Sequence, residues 1–213
     1  AARSALAPVN TKPSRRASAA RVAELRRTTR ETDVAVRLDL DGAGAAEIAS
    51  GIPFLDHMLE LLAKHALWDL RVQARGDLAV DYHHTIEDVG LTLGDALNRA
   101  LGDRRGIARY GWALLPMDES LSFVAVDLGG RPFLVYEVAT RRRRIRDFDV
   151  ALFEEFFRAF VTQSRMNLHI AHLYGQEPHH AFESVFKGLA CALRAAGARD
   201  PRQRGVPSSK GVL

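Results

Sequence analysis

The period of the apolar positions changes several times along the chain. Over 33–42, DVAVRLDLDG alternates apolar and polar residues and ends on an Asp-Gly turn signal, which predicts a strand entering a hairpin. Over 53–67, PFLDHMLELLAKHAL opens on Pro and spaces its apolar residues three and four apart, which predicts a helix. A strand and turn follow over 69–77. A second helix follows over 84–102, closed by Gly102.

The same order then returns. A strand and turn are predicted over 119–130, another strand over 131–139, a helix over 149–165, a strand and turn over 166–177, and a helix over 180–197 ending at Gly197. The match extends to single residues. Glu31 to Gly42 lies over Glu119 to Gly130, with Asp39-Leu40 on Asp127-Leu128. DLRV at 69–72 lies over NLHI at 167–170, and that alignment sets His57 opposite Glu155. An internal duplication accounts for these matches. The expected fold is α+β, with halves at about 31–115 and 116–200. Each half is a strand–strand–strand–helix–strand–helix unit. Two β-sheets with two helices each would pack as layers, helices face to face.

Charge changes this picture only at the start of the chain. The 213 residues carry a net charge of +4, but residues 1–30 hold eight basic residues and one acid, leaving 22 basic and 25 acidic residues in 31–213. The folded part is therefore slightly acidic. That argues against nucleic-acid binding, which needs a basic face. The internal basic run TRRRRIRD at 140–147 reads as a solvated loop or strand edge. Residues 1–22 read as a disordered N-terminal extension, rich in Ala, Ser and Arg, of a kind that also suits an organelle transit peptide. Residues 23–213 form the expected domain. One cysteine, Cys191 in LACAL, allows no internal disulfide and reads as a small core residue, so a reducing cytoplasm is the expected location, with an organelle stroma as the alternative. No apolar run approaches the roughly 18 residues of a membrane span.

Candidate chemistry concentrates in two stretches. Of eight histidines, four stand in adjacent pairs, His83-His84 in DYHHTIED and His179-His180 in PHHAFES, each followed three residues later by a glutamate, Glu87 and Glu183. Residues three and four apart share a helix face. Each pair also sits where a strand turns into a helix, so its two rings can point at separate targets. Imidazole and carboxylate together suit Mn, Fe, Zn or Co. With His57 and Glu155 the set reaches eight nitrogen and oxygen ligands, enough for two four-ligand sites with open positions. His65, His169 and His172 lack a partner pattern and read as structural or supporting residues. A second group suits an anion: the tail 205–213 with Ser208, Ser209 and Lys210, together with Arg109, Arg131 and Lys187.

FLDHML, DYHHTIEDVG, MDESL, DLGGRP, HHAFESVFKGLACAL and the ending PSSKGVL together resemble the imidazoleglycerol-phosphate dehydratase family of histidine biosynthesis, from about Arg21 to Leu213. The resemblance implies metal-dependent dehydration of imidazole glycerol phosphate to imidazole acetol phosphate. It implies two Mn(2+) ions per subunit and a homo-oligomer of 24 subunits built of trimers, with active sites at subunit interfaces. One metal would take His57, His84, His179 and Glu183. The other would take His83, Glu87, His180 and Glu155, where the family stretch carries a histidine and this chain reads EEFF. Glu31 is the implied general base, with His57, His84 and Glu183 as further catalytic residues. The substrate would also meet His65, His83, Glu87 and His179, and its phosphate Arg109, Arg131, Lys187, Ser208, Ser209 and Lys210. Neither nucleic acid nor membrane is an expected partner. A di-metal hydrolase would use the same ligands to activate water. A ferritin-like metal store is disfavoured because such sites use Glu-x-x-His in four helices.

Overall fold

A computed structural model describes residues 20–213. The first half runs β1 (Val22–Thr28), β2 (Thr32–Asp39), β3 (Ala46–Ala49), α1 (Pro53–Ala66), β4 (Asp69–Gly76) and α2 (His83–Leu101). The second runs β5 (Tyr110–Met117), β6 (Ser120–Asp127), β7 (Phe133–Glu137), a short hairpin β8 (Arg144–Ile145) and β9 (Phe148–Asp149), α3 (Leu152–Ser164), β10 (Asn167–Tyr174) and α4 (Pro178–Gly197). The sheet orders are β1-β2-β4-β3 and β5-β6-β10-β7, one pattern used twice. The registers agree as well: Asp39 faces Asp69 in the first sheet, and Asp127 faces Asn167 in the second. The α+β duplicated architecture is thus as expected. The hairpin over 144–149 is an addition inside the basic run; it buries Phe148 against Phe54 and Phe153.

The helices form the inner layers. In β2 and β6 every second residue faces inward: Val34, Val36 and Leu38 in one, Val124 and Val126 in the other, all nearly or wholly buried. α2 covers the first sheet and α4 the second. The helices then pair across the halves, α2 with α3 and α1 with α4. Gly90 and Gly94 let α2 approach α3: a Cβ at Gly94 would lie 2.5 Å from the Phe160 carbonyl oxygen, and one at Gly90 2.7 Å from that of Phe156. Seven phenylalanines, among them Phe153, Phe156, Phe160, Phe182 and Phe186, fill the core around these helices.

Residues 1–19, most of the expected N-terminal extension, lie outside the described residues. Its last two residues belong to the fold. Val22 opens β1, and the Arg21 guanidinium donates to Asp41 and, at 2.5 Å, to the Gly197 carbonyl at the end of α4. Cys191 is free and half-buried. Among the described residues no helix is long and apolar enough to cross a membrane.

Candidate metal and active site

The helix N-termini carry the site. α1 and α4 lie side by side with their first turns together, so His57 of α1 reaches His179 and Glu183 of α4. His57 Nε2 lies 3.2 Å and His179 Nε2 3.0 Å from the same oxygen, Glu183 Oε1. The donor atoms of these three residues all fall within 4.8 Å of one another, and among the described residues they are the one group of three that does so. Glu183 is buried, yet both imidazoles are about 40% exposed. Lys187, one turn further along α4, places Nζ 2.5 Å from Glu183 Oε2. Burial alone would raise the Glu183 carboxyl; Lys187, His57 and His179 outweigh it and hold the pKa at about 2. The result is a permanent carboxylate facing two imidazole nitrogens, a donor set that fits a divalent cation.

The second histidine of each pair points elsewhere. The rings of His83 and His84 stand at 87° to each other and those of His179 and His180 at 83°. His84 turns Nδ1 to Asp77 Oδ2 at 3.0 Å, and His180 turns Nδ1 to Glu119 Oε2 at 2.7 Å. Each carboxylate raises the pKa of its imidazole through that hydrogen bond. A carboxylate on Nδ1 also fixes the ring and leaves Nε2 for a ligand, as happens behind metal-bound histidines. The sequence reading assigned no role in the site to Asp77 or Glu119. Glu119 was available to it, because Glu119 lies over Glu31. Asp77 belongs to the β4–α2 loop, which is longer than its counterpart between β10 and α4.

The counterpart of the first group is looser. His83 Nε2 and Glu87 Oε2 lie 3.9 Å apart. Glu155 sits half-buried on α3, opposite α2, and makes no ion pair or side-chain hydrogen bond with a described residue. Its neighbour Glu154 is held by Arg158 at 2.5 Å. Glu31 is exposed beside β2, close enough for its charge to act on His84.

The anion group stands at the far end. The Arg109 backbone N–H donates to Ala196 O at the C-terminal end of α4, whereas His179 opens that helix. At 1.5 Å per residue the two positions are roughly 25 Å apart. The Arg109 guanidinium is spread over Asp127 (2.6 and 3.0 Å) and the Pro207 carbonyl (2.8 Å), so it anchors the tail. Ser208 Oγ accepts from the Lys210 N–H, and Ser209 and Lys210 are at the surface. Arg131 is exposed in the same region, where its carbonyl accepts from Asn167. Lys187 lies between the two ends and is committed to Glu183. His65 faces Lys187 and Arg194, and burial together with those cations pushes its imidazole below the ordinary value. A single chain therefore assembles the histidine–glutamate group but does not bring the tail and Arg109 to it. Arg104 also escaped the sequence reading: it is buried and donates to Asn98 and the Ser164 carbonyl, close to Gly130.

Comparison with known proteins identifies the relatives of this chain. A sequence model described as imidazoleglycerol-phosphate dehydratase matches residues 50–193. The imidazoleglycerol-phosphate dehydratase of Methylorubrum extorquens is 56% identical over 194 residues, 91% of this chain and 100% of that protein. That of Symbiobacterium thermophilum is 53% identical over 197 residues, 92% of this chain and 95% of that one. The crystal structure of the Staphylococcus aureus enzyme superposes with a TM-score of 0.77 at 34% identity, over 84% of this chain and 99% of that chain. The Pyrococcus furiosus enzyme, solved in complex with (S)-C348, gives a TM-score of 0.77 at 38% identity, over 89% and 100%. With more than half of its length inside the family match and relatives above 50% identity along nearly all of it, the chain belongs to the imidazoleglycerol-phosphate dehydratase family.

Proposed function

We propose that this chain is a hydro-lyase that removes water from imidazoleglycerol phosphate in histidine biosynthesis, at a site built around two manganese ions. Family membership supports the reaction. The observation that carries the metal reading is the convergence of His57, His179 and Glu183, with His84 and His180 each oriented through Nδ1 by a carboxylate. One ion would take His57, His179 and Glu183 with His84; the other His83, Glu87 and Glu155 with His180. Bound cations would supply the positive charge that favours the anionic form of the substrate ring, from which the adjacent hydroxyl departs.

The residues of the chain divide the remaining work. His57, His65, His83, Glu87 and His179 surround the imidazole. Glu31, a free carboxylate near His84, takes the proton from the neighbouring carbon, and the resulting enol becomes the ketone. Arg109, Arg131, Lys187, Ser208, Ser209 and Lys210 hold the phosphate. Because Arg109 and the tail stand roughly 25 Å along α4 from His179, the phosphate is held by a second copy of the chain. An assembly of trimers into 24 subunits supplies such neighbours, and the cytoplasm is the proposed location.

The test is product analysis on purified protein. Incubation with imidazoleglycerol phosphate and Mn(2+) should release an imidazole ketone and no inorganic phosphate, and a chelator should stop it. Release of phosphate would assign the site to a hydrolase instead.

A further inference from the structure

Glu31 stands in the turn between β1 and β2, and the hydrogen bonds of that turn lead into α2. The Thr29 hydroxyl oxygen accepts the backbone N–H of Glu31 at 3.1 Å and that of Thr32 at 3.0 Å. Thr29 Oγ1 lies 3.2 Å from Thr32 Oγ1. Thr32 Oγ1 in turn bonds Asp88 Oδ2, and Asp88 Oδ1 accepts from Arg27 Nε at 2.8 Å. Thr32 and Asp88 are 4% and 7% exposed. The direction of every bond follows from the buried end. Asp88, ion-paired with Arg27, is a carboxylate and only accepts, so Thr32 donates to it. A hydroxyl has one proton to give, so Thr32 accepts from Thr29, and Thr29 accepts from the two amides. Each bond polarises the next.

The duplication supplies a control. The alignment that sets Glu119 on Glu31 also sets Met117 on Thr29 and Ser120 on Thr32, and the His pairs set Ser184 on Asp88. Met117 has no hydroxyl. Ser120 Oγ donates back to Glu119 Oε1 at 3.1 Å, and Ser184 Oγ lies 2.6 Å from Ser122 Oγ. The second half therefore lacks the hydroxyl chain. Its glutamate instead folds onto α4, where it meets His180 Nδ1 and the Glu177 N–H. In the first half the chain holds the backbone of the turn and leaves the Glu31 side chain exposed. The two glutamates differ in what they bond because their turns are tied to the helices in different ways.

We propose that Asp88 is a positioning residue for the proton abstraction: through the hydroxyls of Thr32 and Thr29 it fixes the turn that presents Glu31 to the site. The inference rests on the dehydratase reading above, in which Glu31 is the base. Asp88 directly follows the proposed ligand Glu87 and lies one turn beyond His84 on α2. The helical turn that carries metal ligands thus also sets the place of the base. An exposed turn needs such a hold, because a misplacement of about 1 Å costs on the order of 100-fold in rate. Asp88 and Thr32 are buried behind the turn and act only through Glu31.

The test is a double-mutant cycle between the chain and the base, read by steady-state kinetics with imidazoleglycerol phosphate and Mn(2+) and by metal content. Thr32→Val keeps the shape of the side chain and removes the hydroxyl; Thr32→Ser keeps the hydroxyl. Thr32→Val is expected to lower kcat about tenfold, with KM within about twofold of the unaltered protein. Metal content should stay the same, and Thr32→Ser should restore most of the loss. In the Glu31→Gln background Thr32→Val should lower kcat no further, because nothing is left to position once the base is gone. A purely structural role would multiply the two losses. Unchanged kcat in Thr32→Val, a loss carried by KM, or multiplied losses in the double variant would overturn the proposal. If Thr32→Val does not fold, Asp88→Asn takes its place in the cycle, since an amide cannot accept from Thr32 and Arg27 on both of its heavy atoms. The unaltered protein separates the two levels of the argument. Absence of turnover overturns the dehydratase reading and this inference with it; turnover with an unaffected Thr32→Val overturns the inference alone.

Discussion

Glu119 Oε2 lies 2.7 Å from His180 Nδ1, and the same side chain accepts the backbone N–H of Glu177 at 3.1 Å at the start of α4. His180, followed by that N–H, holds the Glu119 carboxyl down at about 2. Glu31 occupies the duplicate position but makes no side-chain hydrogen bond with a described residue, because Asp77 has taken its place on His84. One carboxylate is a structural acceptor; the other makes no such contact and carries the proposed role of proton acceptor. Replacement should separate these roles. Glu31→Gln is expected to lower kcat by about 100-fold or more, the scale of general base catalysis, with metal content unchanged. Glu119→Gln should lower Tm through lost hydrogen bonding to His180 and weaken manganese retention. Thermal melts and metal analysis on both variants check this. Loss of metal from Glu31→Gln would contradict it.

The histidine–glutamate group gives a stoichiometric expectation. His57→Ala removes one of three converging donors and should leave about half of the bound manganese, because in the proposed site the second ion would be held by His83, Glu87, His180 and Glu155. Metal content per chain after gel filtration measures it. Full retention would show that His57 is not a ligand.

Gly94 faces the Phe160 carbonyl oxygen at a distance a Cβ cannot occupy. Gly94→Ala must push α2 and α3 apart. It should cost about 1–3 kcal/mol, the range for overpacking a tight core, against the gain in helix propensity that alanine normally brings. Denaturant unfolding compares it with the native chain; equal midpoints would mean the helix pair has slack.

The tail predicts a split in kinetic constants. Deleting residues 208–213 removes Ser208, Ser209 and Lys210, while the His179-His180 motif opens α4 roughly 25 Å from the end that meets Arg109. KM should rise by at least about tenfold, the equivalent of about 1.4 kcal/mol for a lost charge-assisted contact, with metal content intact. An unchanged KM would make the segment a packing element.

What could be read from the sequence was whatever repeats locally. The periodicity of 53–67 and 84–102 places α1 and α2 to within a residue or two, because amphipathic helices write their buried face every three to four residues. The HHxxE pairs stood out because spacing and duplication reinforce each other. The strand Val22–Thr28 left no such trace: it is an edge strand with Ala23 and Leu25 as its inward residues, and Arg26-Arg27 interrupt the alternation. The pairing of α2 with α3 was equally hidden, since Gly90 meets Phe156 across 66 residues. The Asp77–His84 contact and the separation of Arg109 from the histidines follow from how loops and helix ends land in space, which no local pattern encodes.

Glu155 is the position where duplication and present contacts give the sharpest test. It lies over His57, which points into the assembled group, yet Glu155 itself has no described partner while Glu154 beside it is tied to Arg158. A half-buried carboxylate without a cation is unfavourable unless something arrives to pair with it, and a metal ion would. A carboxylate is a harder donor than imidazole and adds negative charge, and both suit manganese. Glu155→His should therefore remain active, because it restores the donor type found at the duplicate position. Glu155→Ala should lose one manganese per chain and most of its turnover, whereas Glu154→Ala should lose only a surface ion pair, at most about 0.5 kcal/mol in an i,i+4 arrangement, and keep both metals. The comparison needs metal content and kcat on the three variants side by side. Near-native behaviour of both alanine variants would show that the second ion binds without Glu155, and that the correspondence with His57 is one of ancestry and not of chemistry.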